Sequence, residues 1–304
     1  MRTELRALER TVRHRSYRRA YQPESLADRW SGPDQVLVDL VDEPFTEIDD
    51  VYDRLEAAES HLREQCDRRS VFLTIYAEMT DAVRKDLDND VFNDPEWVRA
   101  YLVEFADWYR RALLAYETGR FEEVPHPWRV SFEAPANEST LYVQDALLGI
   151  NAHINYDLAY TLAAVGLQPN RREKLEDHNE INRTLNRLID VVLAELANVY
   201  AADGYARVSE VLGSLDHAFV LLSMAESRRL AWQNAVSLVD TDWAVVERIV
   251  RWRIGAVSSG AAYFILTPST NPPLIDTLRT VESSDLPNAD LHRACQYWIR
   301  ERGD

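Results

Sequence analysis

Apolar residues recur at helical spacing from about residue 45 to the end of the chain, and this one pattern restricts the fold more than any other feature. Only 9 glycines and 12 prolines punctuate 304 residues. That is too few for the turn density of an all-β fold or for the glycine-rich loops of nucleotide-binding α/β folds. A hydrophobic content of 46% suffices for a substantial core. The expected architecture is all-α: one domain over 45–304 forming a multi-helix bundle of about eight helices, preceded over 1–44 by a basic N-terminal helix and an irregular, proline-containing lead-in.

Start and stop signals divide the bundle. Thr46 can cap a helix whose first turn holds Glu47, Asp49 and Asp50 and which runs toward Cys66, and a second helix should cover 70–87. Asp94 followed by Pro95 marks a third, running to Thr118, because Asp accepts the free amides and Pro sits where its missing N–H costs nothing. Residues 119–138, with Pro125, Pro127 and Pro135, read as the longest internal loop. A long apolar helix then runs from Ser139 or Thr140 to Gly166. Asn170 with Glu173 and Asp177 with Glu180 are alternative starts for the next helix; the reading adopted is a short turn and then a helix from Asp177, closed by Asp203 and Gly204. Further helices are expected over 206–213, 217–238, 242–264 and 288–302.

Fifty-one acids against 34 bases give a net charge of −17, and Lys85 and Lys174 are the only lysines. Near 1 M salt the Debye length falls to about 3 Å, which screens the self-repulsion of such a surface while its carboxylates hold water. A salt-adapted cytoplasmic protein is expected, and nucleic acid is not expected as a partner. Cys66 and Cys295 do not make a disulfide framework, which agrees with a reducing compartment. No stretch approaches the roughly 18 consecutive apolar residues of a membrane span. Residues 1–19 break the charge pattern with seven arginines and with Leu5, Leu8 and Val12 at helical spacing. This basic amphipathic segment is expected to dock on the protein's own acidic surface or on a partner.

The polar residues that bear on function lie within Leu147–Leu158. In a helix His153 and Asp157 are four apart and share a face, as do Asn151 and Asn155 on an adjoining one. Gly149 lies one turn before His153, where a helix-interior glycine costs about 1 kcal/mol and so calls for a reason: close approach of another group, or room for a ligand. On the next helix His178 is in line with Ile181, Leu185, Leu188 and Val192, and Asn182 follows it by one turn. If the two helices are antiparallel neighbours, His153, Asp157 and His178 form a candidate mononuclear site for one divalent metal, zinc or iron, with Asn151, Asn155 and Asn182 behind the ligands. The same side chains also suit a hydrogen-bonded network joining buried helices, or an Asp157-oriented His153 acting as a general base.

The string from Leu147 to Leu158, LLGINAHINYDL, with His178 and Asn182 in DHNEIN and Arg228 or Arg229 before Ala231, Trp232 and Ala235, resembles an uncharacterised family, domain of unknown function 5995, of bacteria and halophilic archaea. Phe92 with Asp94, Phe105 with Tyr109, and Trp128 with Phe132 fit the same pattern, which spans about 45–240. The resemblance implies no activity. It does imply that His153, Asn155 and Asp157 belong together.

Two classes of function follow. One is a metal-dependent hydrolase or oxygenase built on these residues; the alternative is a non-catalytic helical binding or interaction protein whose polar cluster fixes helix register. Asp86, Asp88 and Asp90 have the opening spacing of a calcium loop, but Val91 and Trp97 stand where glycine and glutamate are required, so they read as a solvated acidic loop. Arg228 and Arg229 suit an anion, although stacking on Trp232 or pairing with a core carboxylate is the expected role. Trp128, Trp232, Trp243 and Trp252 are expected in the core.

Overall fold

The computed structural model describes residues 20–136, 140–185 and 224–266. Among these residues the chain is all-helical, with no strand. The helices are α1 (Pro23–Ala27), α2 (Gln35–Val41), α3 (Ile48–Glu64), α4 (Ser70–Asp88), α5 (Pro95–Glu117), α6 (His126–Ala136) and α7 (Tyr142–Ile150). A π-helical segment, Asn151–Asp157, continues α7 directly into α8 (Leu158–Val165). Then come α9 (171–185), α10 (Met224–Val239) and α11 (Ala244–Leu266). The expected basic helix over 1–19 and the helices over 206–213 and 288–302 lie outside the described residues.

The element from Tyr142 to Val165 joins most of the described helices. Its π segment touches α5, α6, α10 and α11. A π turn closes i→i−5 hydrogen bonds, here from Leu158 N–H to the His153 carbonyl, and so accommodates one residue more than an α turn. One extra residue rotates the downstream face by about 100°. The packing follows that rotation. Val143, Ala146, Leu147 and Leu148 join a core cluster with Val71, Val130 and Ile265, whereas Ile154, Leu158 and Leu162 join a second with Val98, Ile181 and Ile254. Ala152 enters a third cluster, with Leu55, Tyr109 and Trp128, and Ile150 packs against all three.

Local signals explain most helix boundaries. The Asp94 carboxylate accepts from Trp97 N–H at 3.0 Å and Pro95 opens α5, while Asp177 accepts from the backbone N–H groups of Asn93 and Asp94, both at 2.8 Å, and fixes that start onto α9. Gly166 ends α8 at φ 76°, the left-handed region that favours glycine.

Several expectations are corrected. Residues 22–44 are not irregular throughout: Pro23 opens α1, and the Asp34 side chain caps α2 by accepting from Val36 and Leu37 N–H. The proposed loop over 119–138 contains α6, because Pro127 falls in the first turn, where a missing N–H is tolerated, and Pro135 in the last. Helix α9 begins at 171, after Asn170 at φ 62°, rather than at Asp177, whose carboxylate serves the 93–94 turn instead. The extra helices make eight a slightly low count. Trp128 and Trp232 are buried as expected, but Trp243, just before α11, is 74% exposed, and Trp252 is 72% exposed because α11 turns Val250, Ile254, Ser258 and Ile265 inward. Among the described residues no helix is long and apolar enough to cross a membrane.

Candidate functional site

His153 and Asp157 meet inside the molecule, as the sequence spacing requires. Asp157 is 0% exposed and His153 3%. His153 Nδ1 lies 3.0 Å from Asp157 Oδ2, and the same oxygen accepts from Trp128 Nε1 at 2.9 Å. Asp157 Oδ1 and His153 Nε2 are buried without a hydrogen-bond partner. Aromatic rings enclose the imidazole: Phe105 stacks on it with centroids 3.5 Å apart and planes 10° apart, and Tyr76 meets it edge-on at 4.5 Å. Phe72, Tyr109 and Trp128 complete the wall. Burial holds the His153 imidazole well below the usual histidine range, and the charge of Arg228 lowers it further. Burial also drives the Asp157 carboxyl well above the carboxylate range, against the opposing Trp128 N–H. The imidazole is therefore neutral, and in the tautomer that carries its proton on Nδ1, facing the oxygen, Nε2 holds the lone pair.

Gly149 has a clear local reason. A Cβ there would overlap the Phe72 ring and stand 2.7 Å from Phe72 Cβ. The glycine lets α4 approach α7 closely enough for Phe72 to reach His153.

His178 does not join this pair. Its Nδ1 lies 3.2 Å from both the Tyr101 hydroxyl and Arg228 Nη2, and its Nε2 lies 3.3 Å from the Arg228 carbonyl oxygen. Both ring nitrogens are thus engaged. Among the described residues no group of three His, Cys, Asp or Glu is arranged to hold a metal ion. The asparagines are also distributed differently from the expectation. Asn151 donates to the Ser258 carbonyl of α11 at 2.9 Å and accepts from Asn155 at 3.0 Å, a tether between helices. Asn182 donates weakly to Asn179 at 3.5 Å, and its Oδ1 is unpartnered.

A small cavity of about 40 Å³ opens beside His153, lined by Phe72, Tyr76, Phe105, Ile181, His153 and Arg228 among others. Its walls are almost wholly apolar. Two residues here had only weak signals in the sequence. Tyr101 had none. Arg228, suited to an anion but expected to stack on Trp232 or pair with a core carboxylate, is 1% exposed and has no carboxylate partner among the described residues, while its neighbour Arg229 pairs with Glu226 on the surface.

No curated protein and no solved structure matches this chain. The model of a family of unknown function, DUF5995, matches residues 48–268, well over half of the chain and reaching past residue 240 to include α11. Every residue of the His153 and His178 clusters falls within the matched span, and the chain belongs to this family.

Proposed function

We propose that this protein is an enzyme performing general-base chemistry on a small, largely apolar molecule held in the cavity beside His153. One observation carries the reading: a buried imidazole is held through Nδ1 by Asp157 while Nε2 is left without a partner on a residue that lines a cavity. An unsatisfied buried polar atom costs about 1–3 kcal/mol, and such costs persist where they serve a reaction. Uptake of a proton at Nε2 produces an imidazolium whose Nδ1 side is held by the Asp157 carboxyl oxygen at 3.0 Å. Arg228, on the same cavity, favours the negative charge that proton loss leaves on the substrate. Thr80 also lines the cavity, but its hydroxyl donates to the Tyr76 carbonyl at 2.9 Å, so proton abstraction fits the site better than a covalent route through that hydroxyl. His178 is assigned no ligand role here, because both of its nitrogens are occupied. The charge of −17 and the scarcity of lysine support a salt-rich cytoplasm as the setting.

The test is proton exchange in D2O. A panel of short carbonyl compounds, acids and amides, is incubated with the full chain, and loss of α-protons is followed by NMR. The expected result is exchange above the buffer rate for at least one compound and a loss of about 10²–10⁴-fold in His153→Gln. Equal exchange by the unaltered chain and His153→Gln throughout the panel would remove the reading.

A further inference from the structure

Charged groups in a protein interior are normally paired, because an isolated ion out of water is very costly. Three arginines drawn into this fold obey that rule. Arg68 pairs with Asp145 at 2.6 Å, Arg69 with Asp67 at 2.7 Å and also with Glu117, and Arg110 with Asp107. Arg228 is more deeply buried than any of these, and among the described residues no carboxylate pairs with it. Its Nη2 reaches only neutral groups: the Tyr101 hydroxyl at 3.1 Å, His178 Nδ1 at 3.2 Å and the His178 carbonyl at 3.2 Å. Its Nε has no partner.

The missing counter-charge and the cavity occur at the same place. Arg228 lines the space beside His153, whose remaining walls are side chains such as Phe72, Phe105, Ile154 and Ile181. A cation at one point of an otherwise apolar chamber matches a molecule with one anionic end and a short hydrocarbon end. The planar guanidinium fork suits a carboxylate in particular. Size sets the chain length. On the measure by which one water needs about 10–15 Å³, a volume of about 40 Å³ holds about three waters.

We propose that this cavity is a binding site for a short-chain monocarboxylate, its carboxylate on Arg228 and its chain among the aromatic and aliphatic walls beside His153. The inference rests on the general-base reading only for the chemistry that follows binding. It names the substrate class of the same chamber, and Arg228 binds the anion whether or not His153 removes a proton.

The experiment is calorimetric titration of the full chain, with ionic strength held by potassium sulfate. Propionate and propionamide are the matched probes, with acetate and hexanoate as size controls. The expected result is saturable binding of one propionate per chain, weaker or no binding of hexanoate, and no binding of the amide. In Arg228→Gln the affinity for propionate falls at least about tenfold, the scale of a lost charge-assisted hydrogen bond. Absence of propionate binding, equal binding of acid and amide, or undiminished affinity in a folded Arg228→Gln chain each overturns the proposal. If Arg228→Gln does not fold, the acid and amide pair on the unaltered chain still decides it. Binding without exchange keeps this inference and removes the base. Exchange on neutral compounds without carboxylate binding does the reverse.

Discussion

Among the described residues two imidazoles are buried, and their surroundings are completed to different degrees. At His178 both ring nitrogens have partners, supplied by Tyr101 and by the side chain and carbonyl of Arg228. At His153 one nitrogen is fixed by Asp157, and the other lacks a partner on a residue that lines an apolar cavity. The first arrangement is a joint: it ties α5, α9 and α10 together and leaves no lone pair free. The second spends a comparable amount of buried polarity and stops short of saturating it. The difference teaches where to look for chemistry in a fold whose two polar centres look alike in sequence.

The largest expected effect tests whether Asp157 is what fixes His153. Asp157→Ala orphans two buried donors at once, Trp128 Nε1 and His153 Nδ1. At about 1–3 kcal/mol each, the loss of stability should be about 2–6 kcal/mol in denaturant titration. A loss below about 1 kcal/mol would mean that the carboxylate does not hold the pair, and the contrast between the two imidazoles would fail with it.

A smaller effect separates the two centres by packing. Gly149→Ala places a methyl group where the Phe72 ring stands, and Phe72 packs against His153 but not against His178. Overpacking of this kind costs about 1–3 kcal/mol, of which better helix propensity returns about 1 kcal/mol. The melting temperature should therefore fall, and NMR shifts of the His153 ring should move while those of His178 stay. Equal movement at both rings would show that the two centres are mechanically one.

Much of this was legible from residue order, and the illegible part has a physical reason. The capping role of Asp94 and the left-handed turn at Gly166 depend on a few adjacent residues, so sequence declares them. The contact of His153 with Asp157 is also local, because the two stand four apart in one helical element. Saturation is not local. His178 is completed by Tyr101 and Arg228, 77 and 50 residues away in the chain. The proposed metal trio assumed that His178 had a lone pair to give, and only tertiary partners reveal that it does not. The π segment escaped for a related reason: its extra residue serves cores on different sides of one helix, which no single periodic stripe encodes. Trp252 departs from the expected core position because hydropathy does not say which of two apolar faces of α11 turns inward.

The finest test of the comparison is pH. Burial, with the charge of Arg228 acting in the same direction, holds both imidazoles well below the ordinary histidine pKa. The unfolded chain takes up a proton on each histidine below about pH 6.5 that the folded chain refuses, so unfolding gains with acid. The contribution of each neutral imidazole is complete above that pH and falls below it by up to about 1.4 kcal/mol per pH unit. Three carboxyls work in the opposite sense, the Asp157 carboxyl, driven well above the carboxylate range by burial, among them. Burial raises Glu78 to about 7, and it raises Asp145 to about 6 despite the Arg68 guanidinium at 2.6 Å. Each binds its proton earlier in the folded state, which adds stability as pH falls through the same range. The whole-protein curve is flattened accordingly, and only a difference between variants isolates an imidazole. The stability gap between the unaltered chain and His178→Gln should therefore be widest near pH 8 and shrink by up to about 1.4 kcal/mol for each pH unit below 6.5. A gap that stays constant from pH 7 to pH 5 would mean that His178 accepts a proton in the folded state. Its two hydrogen-bonded ring nitrogens would then not suffice to exclude the proton.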